Sequence, residues 1–230
     1  MKRIGHKGAD HVAPGNTIAS FEAALEHGVD MIEFDVLRLR DGRIVLAHDY
    51  TDAASREPLT LEEGLDHFRG EAYADVELDL DLKLPGYERE VVDALLDRGL
   101  EGRTLVSTTY LESLAELGRL VPGLRRGWSV PRVRRDYTRT VLAVPAYAIA
   151  RWWRLRLPGR ASELLRAGGA EAVMAHWLLI SRRLESAVHD AGGQLYVWTV
   201  DDPRRIAACE ALGVDGVITN DPRLFEAAAA

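Results

Sequence analysis

Val76-Glu77-Leu78-Asp79-Leu80-Asp81-Leu82-Lys83-Leu84 alternates without a break between aliphatic and charged residues. A period of two is that of a β-strand, whose successive side chains point to opposite faces. Glu77, Asp79, Asp81 and Lys83 therefore share one face, and the leucines share the other. Met31-Ile32-Glu33-Phe34-Asp35-Val36-Leu37 repeats the device, with Glu33 and Asp35 opposite Ile32, Phe34 and Val36. Six more strand-like runs fall at 3–6, 104–107, 125–130, 172–176, 194–200 and 216–219. Helix-like runs separate them, at 17–27, 88–98, 111–120, 182–191 and 203–212. In the first, Ile18, Phe21 and Leu25 share a face, Asn16 reads as the N-cap and Gly28 as the stop. Eight β-then-α units with short connections in 230 residues predict an α/β fold, a TIM-like (β/α)8 barrel of parallel strands forming one domain over residues 1–230. An open doubly wound sheet alternates in the same way, and periodicity alone leaves it open.

In a parallel barrel both strand faces are covered, one by helices and one by the barrel interior. Carboxylates on the inner face are costly unless something neutralises them. A hard divalent cation with oxygen ligands does so, and carboxylates suit Mg²⁺ or Ca²⁺ better than a softer metal. For the 77–83 run alone, a half-exposed strand with a solvated acidic face stands as an equal reading. Two such strands, each in a βα setting, favour the interior.

Two histidines lie where strands end. His6 closes the first strand, and His48 closes Ile44-Val45-Leu46-Ala47-His48, shortly after the turn signal Asp41-Gly42. Strand C-termini carry the active site of such barrels, so the two imidazoles are candidates for a general acid and a general base. His11, His27, His67, His176 and His189 lack this context and read as surface or packing residues. His176 is the exception worth watching, since it also ends a predicted strand.

Composition narrows the function classes. Hydrophobic residues make up 47% and charged residues 28% of the chain, the balance of a globular protein, and a net charge of −7 argues against a nucleic-acid partner. The lone Cys209 excludes a disulfide framework and a cysteine-rich zinc site. The N-terminus shows no apolar leader and no apolar run approaches the roughly 18 residues of a membrane span, so the cytoplasm is the expected location.

Taken together, GHKGADHVAPGNTIASFEAALEHGVDMIEFDVLRLRDGRIVLAHD, residues 5–49, resembles the N-terminal signature of the glycerophosphodiester phosphodiesterase family. The shared features are an HRG-type start, a P-x-N-T turn before a helix, an E-x-D strand and a terminal H-D. Asp81-Leu82-Lys83 resembles the family's acid-x-Lys strand. Val197-Trp198-Thr199-Val200 and the run 213–219, GVDGVIT, resemble its closing motifs. The resemblance spans nearly the whole chain and implies a TIM barrel. It also implies a metal-dependent phosphodiesterase that cleaves glycerophosphodiesters or lysophospholipids to a phosphomonoester and an alcohol. On that basis His6 and His48 form the acid–base pair. Glu33, Asp35 and Asp81 hold one divalent ion, Mg²⁺ or Ca²⁺. Lys7, Lys83 and Trp198 contact the phosphate or substrate.

The sequence departs from the family pattern in four places. Lys7 replaces the usual Arg and loses its bidentate fork. Gly15 replaces a Glu, Thr108-Thr109 replaces Ser-Phe, and Asp81 stands where many relatives carry Glu, a position at which sphingomyelinase D-like relatives resemble this sequence. Only residues 49–75 separate His48 from the next strand, without the larger insertion that helps enclose glycerol in many members. A more open site is expected.

Residues 126–160 carry nine arginines against a single acid, Asp136, together with Tyr147, Trp152 and Trp153. The stretch 132–157 is thus a candidate amphipathic contact with anionic lipid, which would place the protein peripherally at a membrane. Pro131 and Pro145 limit any continuous helix there. The plainer reading is a barrel helix whose arginines pair with the acidic remainder. A non-catalytic phospholipid-binding barrel is the competing function, and the sequence is silent on oligomeric state.

Overall fold

A computed structural model describes residues 1–132 and 143–229, with the side chains of 143–150 and 229 left aside. Arg134, Arg135, Asp136 and Arg139 of the basic segment lie outside the described residues. Eight parallel strands close into a barrel: β1 (Lys2–Gly5), β2 (Met31–Arg38), β4 (Glu77–Leu82), β5 (Thr104–Thr108), β6 (Arg125–Val130), β7 (Ala172–His176), β8 (Gln194–Trp198) and β9 (Gly216–Thr219). β1 pairs with both β2 and β9, and that double pairing closes the ring. The open-sheet alternative is thereby set aside. One strand is extra. β3 (Ile44–Leu46) folds back antiparallel on the end of β2, with Leu46 opposite Val36, through a turn at Gly42 whose φ of 93° favours glycine. This hairpin carries His48 back to the rim.

The helices on the outside are α1 (Ile18–Glu26), α2 (Tyr50–Ser55), α3 (Leu61–Phe68), α4 (Glu88–Leu96), α5 (Leu111–Leu120), α6 (Ala143–Arg166), α7 (Arg182–His189), α8 (Pro203–Leu212) and α9 (Leu224–Ala229). Their starts follow local chemistry. Thr60 and Glu63 form a reciprocal capping box on α3, and Asp202 caps α8 with Pro203 in its first turn. The N-cap of α1 is Thr17, which exchanges hydrogen bonds with Ser20; it is not Asn16. Asn16 sits at φ 58° and is fully buried, turned inward for a purpose given below.

The strand alternation read from sequence is obeyed. Ile32, Phe34, Val36, Leu78, Leu80 and Leu82 pack outward against the helices in one buried cluster. Inside the ring, Ile4, Met31, Leu105, Ala172, Met174, Tyr196 and Ile218 fill the lower barrel. At its floor Glu77 is neutralised by Lys2 and Arg125, both in direct contact with it. The apolar plug and this ion cluster close the bottom, leaving the carboxylates above them to face the mouth.

α6 has 24 residues, which gives a length of about 36 Å. That is far more than the barrel wall needs. Leu157, Ala161 and Leu165, spaced at four, are buried against the barrel, whereas Trp152 and Leu155 upstream are 48% and 60% exposed. Pro158 lies inside the helix, where it removes one donor from the backbone ladder.

Candidate active site

The register of β2 against β4 builds the site. Glu33 pairs with Asp79 and Asp35 with Asp81, so all four carboxylates line neighbouring inward positions. One oxygen from each of Glu33, Asp35 and Asp81 can lie within 4.8 Å of the others. Lys83, just past the end of β4, bridges two of them: its Nζ is 2.5 Å from Asp81 Oδ2 and in direct contact with Asp35 Oδ1. Asp35 Oδ1 has this ion pair but no aligned hydrogen bond. Its other oxygen accepts from Asn16 Nδ2 at 2.8 Å, while Asp35 N–H donates to Asn16 Oδ1 at 3.0 Å. That two-point clasp explains the buried, left-handed Asn16.

The loop after β1 supplies the next layer. Lys7, at φ 51°, directs its own N–H to Glu33 Oε2 at 2.8 Å, and Gly8 N–H donates to Glu33 O at 3.1 Å. A Cβ on Gly8 would meet Ser20 O at 2.5 Å, so the turn requires glycine. The Lys7 ammonium does not line the central cavity; it reaches Asp10 Oδ2 at 3.3 Å. Asp10 in turn accepts from Gly15 N–H at 2.9 Å, and a Cβ at 15 would fall 2.5 Å from Asp10 Oδ1. The Gly15 departure is thus matched by Asp10, which fills the space and holds Lys7.

His6 is partly buried beside this loop, with Nε2 3.8 Å from Glu33 Oε2. Its Nδ1 lies 2.5 Å from Asn220 Oδ1, and Asn220 Nδ2 donates to Asp201 Oδ2 at 2.7 Å. An amide oxygen only accepts, so Nδ1 carries the proton and Nε2 faces the acids as an acceptor. His48 sits at the rim, half exposed, with Nδ1 3.3 Å from Asp49 Oδ2 and its backbone N–H donating to Asp52 at 3.0 Å. His6, His48, Glu33, Asp81, Lys83 and Trp198 line one cavity of about 640 Å³, with Asp35 directly beneath. The Trp198 indole is locked by Nε1–H donation to Met174 O at 2.8 Å and an edge contact from His176, whose ring centre is 5.1 Å away. His176 is therefore a packing partner of a pocket wall.

Electrostatics follow burial. Burial, then Asp35, pushes the Glu33 carboxyl well above the usual carboxylate range. Burial would raise Asp35 too, but Lys83, His48, Lys7 and His6 hold it below its ordinary value. Burial opposes the charge of Lys83, yet Asp35, Asp81 and Glu33 keep it firmly protonated. Burial, reinforced by Lys7, lowers the pKa of His6. Crowded, all-oxygen and short of positive charge, the cluster fits a hard divalent cation. Glu33, Asp35 and Asp81 would hold it.

Asp79 has a different fate. It is 1% exposed, its Oδ1 has no hydrogen-bond partner, and burial raises its pKa from 3.8 to about 7. A raised acid destabilises the fold as pH climbs from about 4 towards 7, because the unfolded chain ionises first. Asp79→Asn is expected to stabilise the cation-free protein at pH 8 by up to about 4 kcal/mol, the gain fading towards pH 4. Urea unfolding in EDTA at the two pH values measures this; an unchanged or lower stability at pH 8 contradicts it.

The residues that sequence reasoning missed are Asn220, Asp201, Tyr110 and Arg132, all in loops at the strand ends. Arg132 reads only as the first residue of the basic stretch 132–157, and the other three stand in no motif or period of the sequence.

A closed (β/α)8 barrel with three clustered carboxylates, two imidazoles and a lysine at its C-terminal mouth is the layout of a barrel enzyme whose site lies at the strand ends. The chain matches the Glycerophosphoryl diester phosphodiesterase family over residues 6–118 and 60–224, and it belongs to that family. It is 25% identical to the glycerophosphodiester phosphodiesterase of Caldanaerobacter subterraneus subsp. tengcongensis, over 95% of this chain and 93% of that one. It is 28% identical to the probable glycerophosphodiester phosphodiesterase 1 of Mycobacterium tuberculosis, over 95% and 89%. Solved structures share the fold. A glycerophosphoryl diester phosphodiesterase assigned in Silicibacter pomeroyi superimposes with a TM-score of 0.77 at 21% identity, over 97% and 91% of the two chains. An Oleispira antarctica phosphodiesterase, solved with the product sn-glycerol-3-phosphate, gives 0.74 at 21% identity, over 100% and 96%. The enzyme class expected from sequence, a phosphoric diester hydrolase, is the class of this family.

Proposed function

We propose that the protein hydrolyses glycerophosphodiesters to a glycerol phosphate and an alcohol, with one divalent cation, Mg²⁺ or Ca²⁺, at Glu33, Asp35 and Asp81. The observation that carries this reading is the meeting of Glu33 and Asp81 with both imidazoles and Lys83 in a single cavity, with Asp35 clustered against the two acids. When bound, the cation polarises a phosphoryl oxygen and offsets charge as it builds there. The protein's own groups do the rest. Lys83 supplies a second, partly buried positive charge beside the phosphate. One imidazole of the His6/His48 pair takes a proton from the attacking water as its oxygen bonds to phosphorus. The other gives a proton to the alkoxide as the P–O ester bond breaks. Asn220 fixes the His6 tautomer, and Trp198 walls the cavity on its β8 side.

Purified protein with Mg²⁺ or Ca²⁺ is expected to release the alcohol from glycerophosphocholine or glycerophosphoethanolamine, and EDTA to stop it. Product identification by mass spectrometry checks both. Turnover that survives EDTA undiminished, or no turnover of any glycerophosphodiester with any of these ions, defeats the reading.

We also propose that α6 rests on anionic lipid. Among the described residues, no acid pairs with Arg151, Arg154, Arg156 or Arg160. Instead Arg156 lies 5.1 Å over Trp152, and Arg160 lies 5.5 Å over Trp153. Unpaired arginines beside an exposed Trp152 and Leu155 suit a lipid headgroup layer. No helix among the described residues is long and apolar enough to cross a membrane. Co-sedimentation with phosphatidylserine vesicles, but not with neutral ones, is the expected outcome. Equal, negligible binding to both removes the proposal.

A further inference from the structure

The cations around the cavity are not equivalent. Lys83 is taken by Asp35 and Asp81, and Lys7 by Asp10. Arg132 has no carboxylate partner among the described residues. It is held by Tyr110: Nη2 donates to the phenol oxygen at 2.8 Å, and the guanidinium carbon lies 4.3 Å from the ring centre. Tyr110 is itself fixed at the start of α5, where its N–H donates to Thr108 Oγ1 at 3.3 Å and Thr108 donates to Leu82 O at 2.9 Å. Arg132, two residues past β6, thus owes its position to a contact with the residue that caps α5.

Both residues line the same cavity as His6, His48 and Asp81. β4, β5 and β6 are consecutive in the ring. With neighbouring strands about 4.8 Å apart, Arg132 stands about 10 Å around the rim from the strand of Asp81. The two histidines lie on the other side, after β1 and after the β2–β3 hairpin. A phosphodiester seated at the carboxylates has two ester arms. The arm that leads away from the histidine side runs over β5 towards Arg132.

We propose that Arg132, positioned by Tyr110, is an anion subsite that selects diesters whose alcohol carries a carboxylate or phosphate beyond the scissile phosphodiester. This rests on the phosphodiesterase reading above and adds the substrate class. A guanidinium with no acid partner among the described residues, already stacked on an aromatic ring, offers a planar fork to such an anion. A cationic head group such as choline would meet repulsion at the same place.

Glycerophosphoserine and glycerophosphoethanolamine differ only by a carboxylate and carry no acyl chains, so they isolate this contact from any membrane effect. The wild-type enzyme is expected to favour the serine diester in kcat/KM by about threefold to fivefold, the scale of one exposed charge-assisted pair. Arg132→Ala should erase that preference, chiefly through KM, by weakening the serine diester and modestly improving the ethanolamine diester, whose ammonium no longer meets the guanidinium. Tyr110→Phe keeps the ring but removes the phenol oxygen, and should lose part of the preference. Arg132 is exposed, so its removal leaves the fold intact, which thermal melting checks. Equal kcat/KM for the two diesters in the wild type, or an Arg132→Ala variant that slows both alike, overturns the subsite while the phosphodiesterase reading stands. If the wild type cleaves neither, that reading fails and the subsite falls with it.

Discussion

Asp35→Asn is expected to cut glycerophosphodiester turnover by about 10³-fold at saturating Mg²⁺, the largest loss of any single replacement in the cavity. The side chain has the same shape, and Asn16 could still donate to its remaining oxygen, so the change is one of charge. Asp35 is the residue on which the site converges: Lys83, His48, Lys7 and His6 all act on its carboxylate. The sign of the stability effect follows from the same balance. Those neighbours hold the folded pKa of Asp35 below its ordinary 3.8, so its charge stabilises the fold above that pH, and the contribution is lost as pH falls through the folded value. At pH 7 the variant should therefore be less stable, by about 3 kcal/mol, with the deficit closing at strongly acid pH. Lys83 keeps Asp81 as a partner, which limits the damage. Steady-state kinetics and urea unfolding on one preparation test both halves. Near-normal turnover would remove Asp35 from the centre of the chemistry.

His6→Ala makes a complementary case. It should lower kcat by about 10² to 10⁴, the usual weight of a general acid or base, while cation affinity stays close to wild type. His6 is 3.8 Å from Glu33 and bonded to Asn220, and it is not one of the three clustered carboxylates. Loss of rate without loss of binding separates proton transfer from cation binding. A non-catalytic phospholipid-binding barrel, the competing function, predicts no rate in either protein. Isothermal titration with Mn²⁺ beside the kinetics distinguishes these outcomes. A variant with normal kcat would mean that the imidazole is structural.

The barrel was legible because period-two alternation is a local property. All eight barrel strands read from sequence are present within a few residues, and Leu111–Leu120 and Pro203–Leu212 coincide with their predicted helices. The inner face of β2 and β4 was legible for the same reason, since residues two apart share a face wherever the strand goes. What escaped depends on partners far away in sequence. Asn16 looks like a helix cap because it precedes Thr17, and either residue is a good cap former. The choice falls to Thr17 because Asn16 is claimed by Asp35, nineteen positions on. Asn220 reaches His6 across 214 positions, and Arg132 meets Tyr110 across 22, and loops carry no period to announce such pairs. α2 has only six residues, too few for a helical repeat to register. The acidic row on β4 read as uniform and is not: Glu77 is neutralised by Lys2 and Arg125, Asp79 is buried with one oxygen unpartnered, and Asp81 faces Lys83 at the mouth. Depth in the barrel, invisible along one strand, separates the three.

Anomalous diffraction from crystals soaked in Mn²⁺ bears most directly on the whole account. A peak about 2.1–2.4 Å from carboxylate oxygens of Glu33, Asp35 and Asp81 together is the predicted result. An ion bound elsewhere, or full occupancy of Mn²⁺ at other sites with none at these three, would contradict it.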